Sequence, residues 1–295
     1  MSDSSSSLTV VIPCYNEADN IPRVIPEVLA FCREHGWRLI LVNDGSKDNS
    51  AGLLAPYASE SCRILTHRSN RGYGAALKSG LAAVETEYAV TIDSDGQHDL
   101  KDVGRLLELA VAKNADMVVG CRQVSDSSRY RRCGKWIIRT FAAFLIGRKF
   151  RDLNSGMKLY RTDTVRDYLQ LCPDGMSFSD IILLLIASDR HLVLEESITI
   201  HPRTAGHSTI GLHTAKETLF EILNIAMLIH PQLVFSRIGT VFLLAGVAWG
   251  IRSYCYTRNL STGSGMLLVT GCLIFMMGLL GEQVAQVRRM LAKQR

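Results

Sequence analysis

Two carboxylates one residue apart, Asp93 and Asp95, flank Ser94, with Gln97 and His98 just beyond. In an extended stretch alternate side chains point the same way, so both carboxylates can face one ligand. Held close they repel unless a cation joins them. A hard divalent ion on one or two carboxylates plus phosphate oxygens is the usual Mg²⁺ arrangement. An Asp-x-Asp alone is equally a solvated turn; its place at the end of an apolar run favours the metal reading here. Two further carboxylate loops accompany it, Tyr15-Asn16-Glu17 and Asn43-Asp44-Gly45-Ser46. The second is also good turn chemistry in its own right.

These loops need elements to hold them. Apolar runs at 8–12, 39–42, 63–65, 88–92 and 117–119 alternate with helical stretches at 21–34, 74–84 and 103–112. That alternation predicts an α/β fold, a mostly parallel sheet with helices on both faces. Ligands bind such sheets beyond the carboxyl ends of the strands. All three carboxylate loops fall at those ends. Arg71-Gly72-Tyr73-Gly74 resembles a phosphate loop, but so short a Gly-x-Gly reads better as the start of a helix.

The 295 residues are 47% apolar and 21% charged, which excludes a disordered or collagen-like chain. Lys plus Arg is 33 against 28 for Asp plus Glu, a net charge of +5, too mild to indicate a nucleic-acid binder. Eight cysteines are scattered without a CxxC pair, which argues against structural zinc and a disulfide scaffold; buried thiols in a reducing compartment are expected. His201, His207 and His213 recur every six residues, which is no zinc pattern. The first seven residues lack a basic and an apolar region, so no signal peptide is expected there.

Residues 260–281 carry no charge and are long enough to span about 30 Å of hydrocarbon. Residues 238–251 are also uncharged, and 233–235 extend them past Arg237, which can snorkel. With only 252–259 between, a two-helix transmembrane hairpin is expected at about 233–251 and 260–281. Gly246, Gly250, Gly271, Gly278 and Gly281 suit membrane helix contacts. Arg288, Arg289, Lys293 and Arg295 follow the second span, so the positive-inside rule places the tail in the cytoplasm, and two spans return the chain to its starting side. The expected organisation is a disordered 1–7, a cytoplasmic domain over 8–230, the two spans within 231–282 and a basic cytoplasmic tail over 283–295.

Between Ser127 and Arg151 there are eight basic residues and no acidic one. On a helix near 129–146, Arg131, Arg132, Lys135 and Arg139 fall on one side and Ile137, Phe141, Phe144 and Leu145 on the other. A basic amphipathic helix of this kind suits a membrane interface, though a solvated face over a core helix reads alike. Arginine forks suit phosphate, so Arg131 or Arg132 is the expected ligand of an acceptor phosphate.

VVIPCYNEADNI, LVNDGSKDNS, NRGYGAALKSGL and TIDSDGQHD, in that order, resemble the nucleotide-sugar domain of family 2 glycosyltransferases, with its GT-A (Rossmann-like) fold. The likeness covers roughly 8–125. RDLNSGMKLYR at 151–161, HPRTAGHS at 201–208 and the hairpin extend it towards the polyprenyl-phosphate glycosyltransferases, of which dolichol-phosphate mannose synthase is one. Asn154 and Met157 vary that family's D-x-x-SGF pattern, and Thr209 stands where it has a basic residue after R-x-x-G-x-S.

The resemblance implies that Pro13, Tyr15, Glu17, Val42 and Asp44 line the base and ribose of the donor. It implies that Asp93 and Ser94 lie along the ribose and diphosphate. Asp95 and Gln97 would hold Mg²⁺ or Mn²⁺, and Arg122 and Arg203 would face phosphate. Asp95 and Asp152 are the implied catalytic residues, Asp152 orienting the acceptor or acting as a base. The implied reaction is inverting transfer of one sugar from a nucleotide diphosphate sugar to a dolichyl or undecaprenyl phosphate at the cytoplasmic membrane face. The partners are these two substrates and the membrane, with no nucleic acid and a possible homo-oligomer. A family 2 transferase acting on a polysaccharide or another lipid, and a non-catalytic nucleotide-binding membrane scaffold, are the alternatives. A dinucleotide oxidoreductase would want Gly-x-Gly-x-x-Gly where Pro13-Cys14-Tyr15-Asn16-Glu17 stands.

Overall fold

The computed structural model describes residues 8–122, 149–201, 227 and 231–293. The expected basic helix near 129–146, with Arg131 and Arg132, lies outside them, as do Arg203 and residues 1–7. The chain divides into two compact units, Met1–Leu212 and His213–Arg295.

The first unit is built on a seven-stranded sheet. Its strands are β1 (Leu8–Cys14), β2 (Arg38–Asn43), β3 (Cys62–Thr66), β4 (Tyr88–Thr91), β5 (Met117–Arg122), β6 (Lys158–Arg161) and β7 (Val193–Ile198). They lie in the order β3-β2-β1-β4-β6-β5-β7. β1 pairs in parallel with β2 and β4, β2 with β3, and β5 with β7, while β6 runs antiparallel to both β4 and β5. All seven residues of β1 are buried, as in a central strand covered on both faces.

Helix α1 (Ile21–Glu34) buries Ile21, Val24, Ile25, Val28, Leu29 and Cys32, one apolar stripe at helical spacing. The short α2 (Ser50–Leu54) follows β2, and α3 (Tyr73–Ala82) follows β3. Helix α4 (Leu100–Lys113) starts on Asp99, whose side chain accepts from the Lys101 amide, and ends on Asn114 in the left-handed conformation, φ 52°.

The five anticipated strands and three helices are present, with ends moved by up to three residues. The short α2, β6, β7, α5 (Thr162–Leu169) and α6 (Phe178–Ser188) are additions. β6 is hard to see because Lys158 opens it, a fully buried lysine that breaks the apolar signature. In α6 every residue from Phe178 to Ile186 is buried, Ser179 and Asp180 included, so it is buried all round and shows no amphipathic period.

The second unit contains α7 (Pro231–Thr257) and α8 (Thr262–Lys293), both long and apolar enough to cross a membrane. They overrun the expected limits. α7 continues through 252–257, and the reversal is confined to 258–261, with Arg258 at φ 57°. There the Ser253 and Thr257 hydroxyls donate to the Asn259 carbonyl at 3.0 and 3.2 Å. The two helices touch backbone to backbone. A Cβ on Gly239 would stand 2.9 Å from the Gly271 carbonyl oxygen, and one on Gly271 would stand 3.0 Å from that of Gly239.

Candidate active site

The loops after β1, β2 and β4 meet at the carboxyl edge of the sheet. The first two are sewn together. The Asn16 amide donates to Ser46 Oγ at 3.0 Å, Glu17 to Ser50 Oγ at 2.9 Å and Ala18 to Asp48 Oδ2 at 3.1 Å. The Lys47 amide returns the link to Asn16 Oδ1 at 2.8 Å. Glu17 accepts from Asn20 Nδ2 at 2.6 Å, which ties its carboxylate to the start of α1. Tyr15 stands exposed at the end of β1.

Pro13 and Val42 are register partners inside β1 and β2, and both are buried. The Val42 side chain is turned onto α3, where a Cβ at Gly80 would stand 3.1 Å from its Cγ2. That side chain is part of the core beneath the sheet edge. Asp44 is 2% exposed. It accepts from His67 Nδ1 at 2.6 Å and from the amides of Arg71 and Gly72 at 3.0 and 2.8 Å. His67 Nε2 lies 2.8 Å from Ser79 Oγ, so Asp44 fixes the turn into α3. Gly72 there has φ 102°, and Tyr73 is the first residue of the helix, as the helix-start reading of that motif expects.

That turn delivers Tyr73 to Asp93. The Tyr73 hydroxyl donates to Asp93 Oδ1 at 2.9 Å, and His98 Nε2 lies 3.5 Å from Oδ2. Gly156 closes the other side, because a Cβ there would collide with the Asp93 carboxylate. Burial pushes the Asp93 carboxyl up, but His98, Tyr73 and Arg122 together hold it below the usual carboxylate range. Ser94 is buried between the two acids.

Asp95 has different surroundings. Its Oδ1 accepts from the Gln97 amide at 3.1 Å across a turn at Gly96, φ 71°, and its carbonyl accepts from Arg23 Nη2 at 3.3 Å. Gln97 Nε2 donates to the His201 carbonyl at 3.3 Å, and the His201 amide donates to the Gln97 carbonyl at 2.8 Å. The turn at Gly96 ends the extended stretch, and Asp93 packs towards β6 while Asp95 belongs to the 95–97 turn. Among the described residues no group of three or more His, Cys, Asp or Glu could hold a metal ion. A carboxylate and an amide carbonyl are nevertheless hard oxygen donors, and Mg²⁺-type ions are commonly held by few protein ligands plus substrate phosphates.

Arg122, at the end of β5, grips Asp152. Nε meets Oδ2 at 2.7 Å and Nη2 meets Oδ1 at 2.9 Å, and Nη2 also reaches the Asn154 carbonyl at 3.1 Å. The Arg122 amide adds a bond to Oδ2 at 3.2 Å. Burial pushes the Asp152 carboxyl up, but Arg122 and then Lys158 hold it below the usual range. Behind this pair lies Lys158, whose ammonium donates to the carbonyls of Leu153 at 2.7 Å and Ser179 at 2.6 Å. Asp180, at 8% exposure, is in the same buried group. Tyr73, His98, Lys158 and Asp180 were not singled out as site residues by the sequence. The only signal was position, since Tyr73 and Lys158 sit inside motifs read for other reasons.

Residues 9–169 match the family model described as Glycosyl transferase family 2, and 230–287 match the GtrB C-terminal hairpin. An undecaprenyl-phosphate 4-deoxy-4-formamido-L-arabinose transferase of Pectobacterium carotovorum subsp. carotovorum is 28% identical over 302 residues, covering 97% of this chain and 90% of the relative. The protein of the same name from Edwardsiella ictaluri is 26% identical, covering 95% and 89%. Among solved structures, glucosyl-3-phosphoglycerate synthase from Mycobacterium tuberculosis in complex with Mn²⁺, uridine-diphosphate and glucosyl-3-phosphoglycerate superposes with a TM-score of 0.58. It is 18% identical, with 75% of this chain and 78% of that chain covered, a likeness of fold.

Proposed function

Because the chain belongs to glycosyl transferase family 2, we propose that it transfers a sugar from a nucleotide diphosphate sugar to a polyprenyl phosphate of the undecaprenyl type. The observation that carries this reading is the span of the undecaprenyl-phosphate sugar transferases. They align over 95–97% of the chain, through the sheet-edge site and the apolar hairpin alike. The two apolar helices α7 and α8 suit an acceptor held in the membrane.

The donor diphosphate lies over the loops that end β1 and β4, near Tyr15, Ser94 and Asp95. Asp95 and the Gln97 side-chain carbonyl are the residues that would hold Mg²⁺ or Mn²⁺. The bound ion would neutralise the charge gathering on the departing nucleoside diphosphate. The solved synthase with Mn²⁺ and uridine-diphosphate shares this fold and supports the reading. Asp93, held by Tyr73 and His98, fixes the loop from the sheet side.

The nucleophile is an oxygen of the lipid phosphate. It attacks the anomeric carbon as the bond from that carbon to the diphosphate oxygen breaks, so configuration inverts. A phosphate monoester with a second pKa near ~6 is largely ionised at pH 7, so no proton has to be taken from it. Asp152 accordingly acts as a positioning carboxylate. Arg122 is the cation nearest to it and, with Arg131, Arg132 and Arg203, would receive phosphate oxygens. The basic residues Arg288, Arg289, Lys293 and Arg295, which follow the apolar part of α8, support a cytoplasmic tail and catalytic domain.

The test is reconstitution. Purified protein in phospholipid is given undecaprenyl phosphate, Mg²⁺ or Mn²⁺ and a panel of labelled UDP- and GDP-sugars. Metal-dependent labelled lipid is the expected product. Nucleotide-sugar binding without any labelled lipid would move the acceptor to a polysaccharide or another lipid.

A further inference from the structure

Lys158 is a lysine with no exposed surface, on β6, an interior strand between β4 and β5. A buried ammonium is costly unless it is paired and hydrogen-bonded, so its partners show what the cost maintains. They are two backbone carbonyls from separate segments. Leu153, at 2.7 Å, belongs to the loop between Asp152 and Gly156, and Ser179, at 2.6 Å, belongs to the first turn of α6. The loop it grips carries Asp152, the partner of Arg122, and Asn154, whose carbonyl Arg122 also binds. It also carries Gly156, which lies against the Asp93 carboxylate. Lys158 touches neither Asp95 nor Gln97 in any bond described above.

We propose that Lys158 is a positioning residue for the transfer, clamping the 152–156 loop to α6 and so holding Arg122 and Asp152 where the acceptor phosphate arrives. This rests on the sugar-transfer reading above. The charged groups around it come from four directions: Asp180 on α6, Asp152 in the loop, Arg122 on β5 and Asp93 after β4. Three of these are acids and one is a base, so the ammonium is the second cation of the cluster. When Arg122 turns from Asp152 to a phosphate, Lys158 remains to offset the carboxylates left behind.

Burial pushes the Lys158 ammonium down to about 8, against the pull of Asp180 and Asp152. Below that pH the cation is present. Above it the neutral amine still has protons for both carbonyls but no charge to offset the acids. The Cys121 thiol on neighbouring β5 does not titrate there, since burial and then Glu195 push it up to about 12.

The experiment compares the full-length wild type with Lys158→Arg and Lys158→Met in phospholipid. Donor Kd, kcat, acceptor KM and the pH profile from about 6.5 to 9.5 are measured, with hydrogen exchange over residues 150–157. The Met variant is expected to lose about 10–100-fold in kcat with donor Kd within about twofold, and to exchange faster at 150–157. The Arg variant is expected to recover most of kcat and to keep it above pH 8, where the wild type declines. A Met variant with wild-type kcat, or one whose loss lies wholly in donor Kd, overturns the proposal. If the Met variant does not fold, the Arg variant decides: an alkaline decline unchanged from wild type overturns it, and its removal supports it. A wild type that makes no labelled lipid defeats the sugar-transfer reading instead. The exchange of 150–157 then still judges the clamp, and unchanged exchange in a folded Met variant overturns it.

Discussion

Arg122 and Asp152 are joined as a two-pronged ion pair, Nε to Oδ2 at 2.7 Å and Nη2 to Oδ1 at 2.9 Å, at the end of β5. Each was expected to serve a substrate, one facing phosphate and the other the acceptor. Their pairing makes these roles interdependent. A carboxylate held below its usual range is ionised at neutral pH but a weak proton acceptor, because its lone pairs and charge are committed to the guanidinium.

The first prediction follows from that commitment. Asp152→Asn keeps the shape but loses the charge that aims Arg122, and Arg122→Lys loses the fork. Each is expected to lower kcat by about 10–100-fold. The double variant should be little worse than either single one, since both break one unit. Fully multiplicative losses in the lipid-product assay would show that the residues act separately.

Gly156→Ala tests the other end of the same loop. Its Cβ would collide with the Asp93 carboxylate, which is already held by Tyr73 and His98. Either the loop or Asp93 must shift, at about 1–3 kcal/mol for an overpacked site. Lower thermal stability and lower kcat together are expected. A variant with unchanged melting temperature and unchanged kcat would show that the loop has room to give.

The sheet edge was legible in the sequence because its signals are local. Ile21 and Glu34 bound α1 as its apolar spacing predicts, and each carboxylate loop directly follows an apolar run. What was hidden depends on residues far apart in the chain. Arg122 and Asp152 are 30 positions apart, and Lys158 binds Ser179 21 positions away. No period or motif encodes such pairings. The packing of Val42 under α3 and the bonds of Asp44 to the Arg71 and Gly72 amides likewise join segments that no local pattern links. β6 was obscured by its buried lysine, and α6 by the lack of any exposed face.

On the proposed metal role, Asp95→Ala should cost about 10²–10³-fold in kcat, the scale for removing charge stabilisation of a leaving group. Chelation of divalent ions should abolish wild-type turnover, and Mn²⁺ or Mg²⁺ should restore it. Gln97→Ala should be milder and partly recovered at higher metal concentration. An Asp95→Ala protein that turns over at the wild-type rate in chelator would remove the metal from the reaction.

The last prediction concerns acid. Asp93 and Asp152 are both held below their ordinary value near 3.8, the first by His98 and Tyr73 and the second by Arg122, in each case against burial. A depressed folded-state pKa means that the unfolded chain binds protons first as pH falls. The stabilisation is therefore complete above pH ~4–5 and is lost as pH drops through the folded-state values below that. Unfolding of the full chain, followed by tryptophan fluorescence between pH 7 and 2.5, should show stability nearly level at the neutral end and falling steeply below about 4. In Asp152→Asn one of the two groups no longer titrates. The variant should be less stable at pH 7 and should lose less on acidification. Parallel wild-type and variant curves down to pH 2.5 would mean that the Arg122–Asp152 pair adds nothing to the stability of the folded sheet edge.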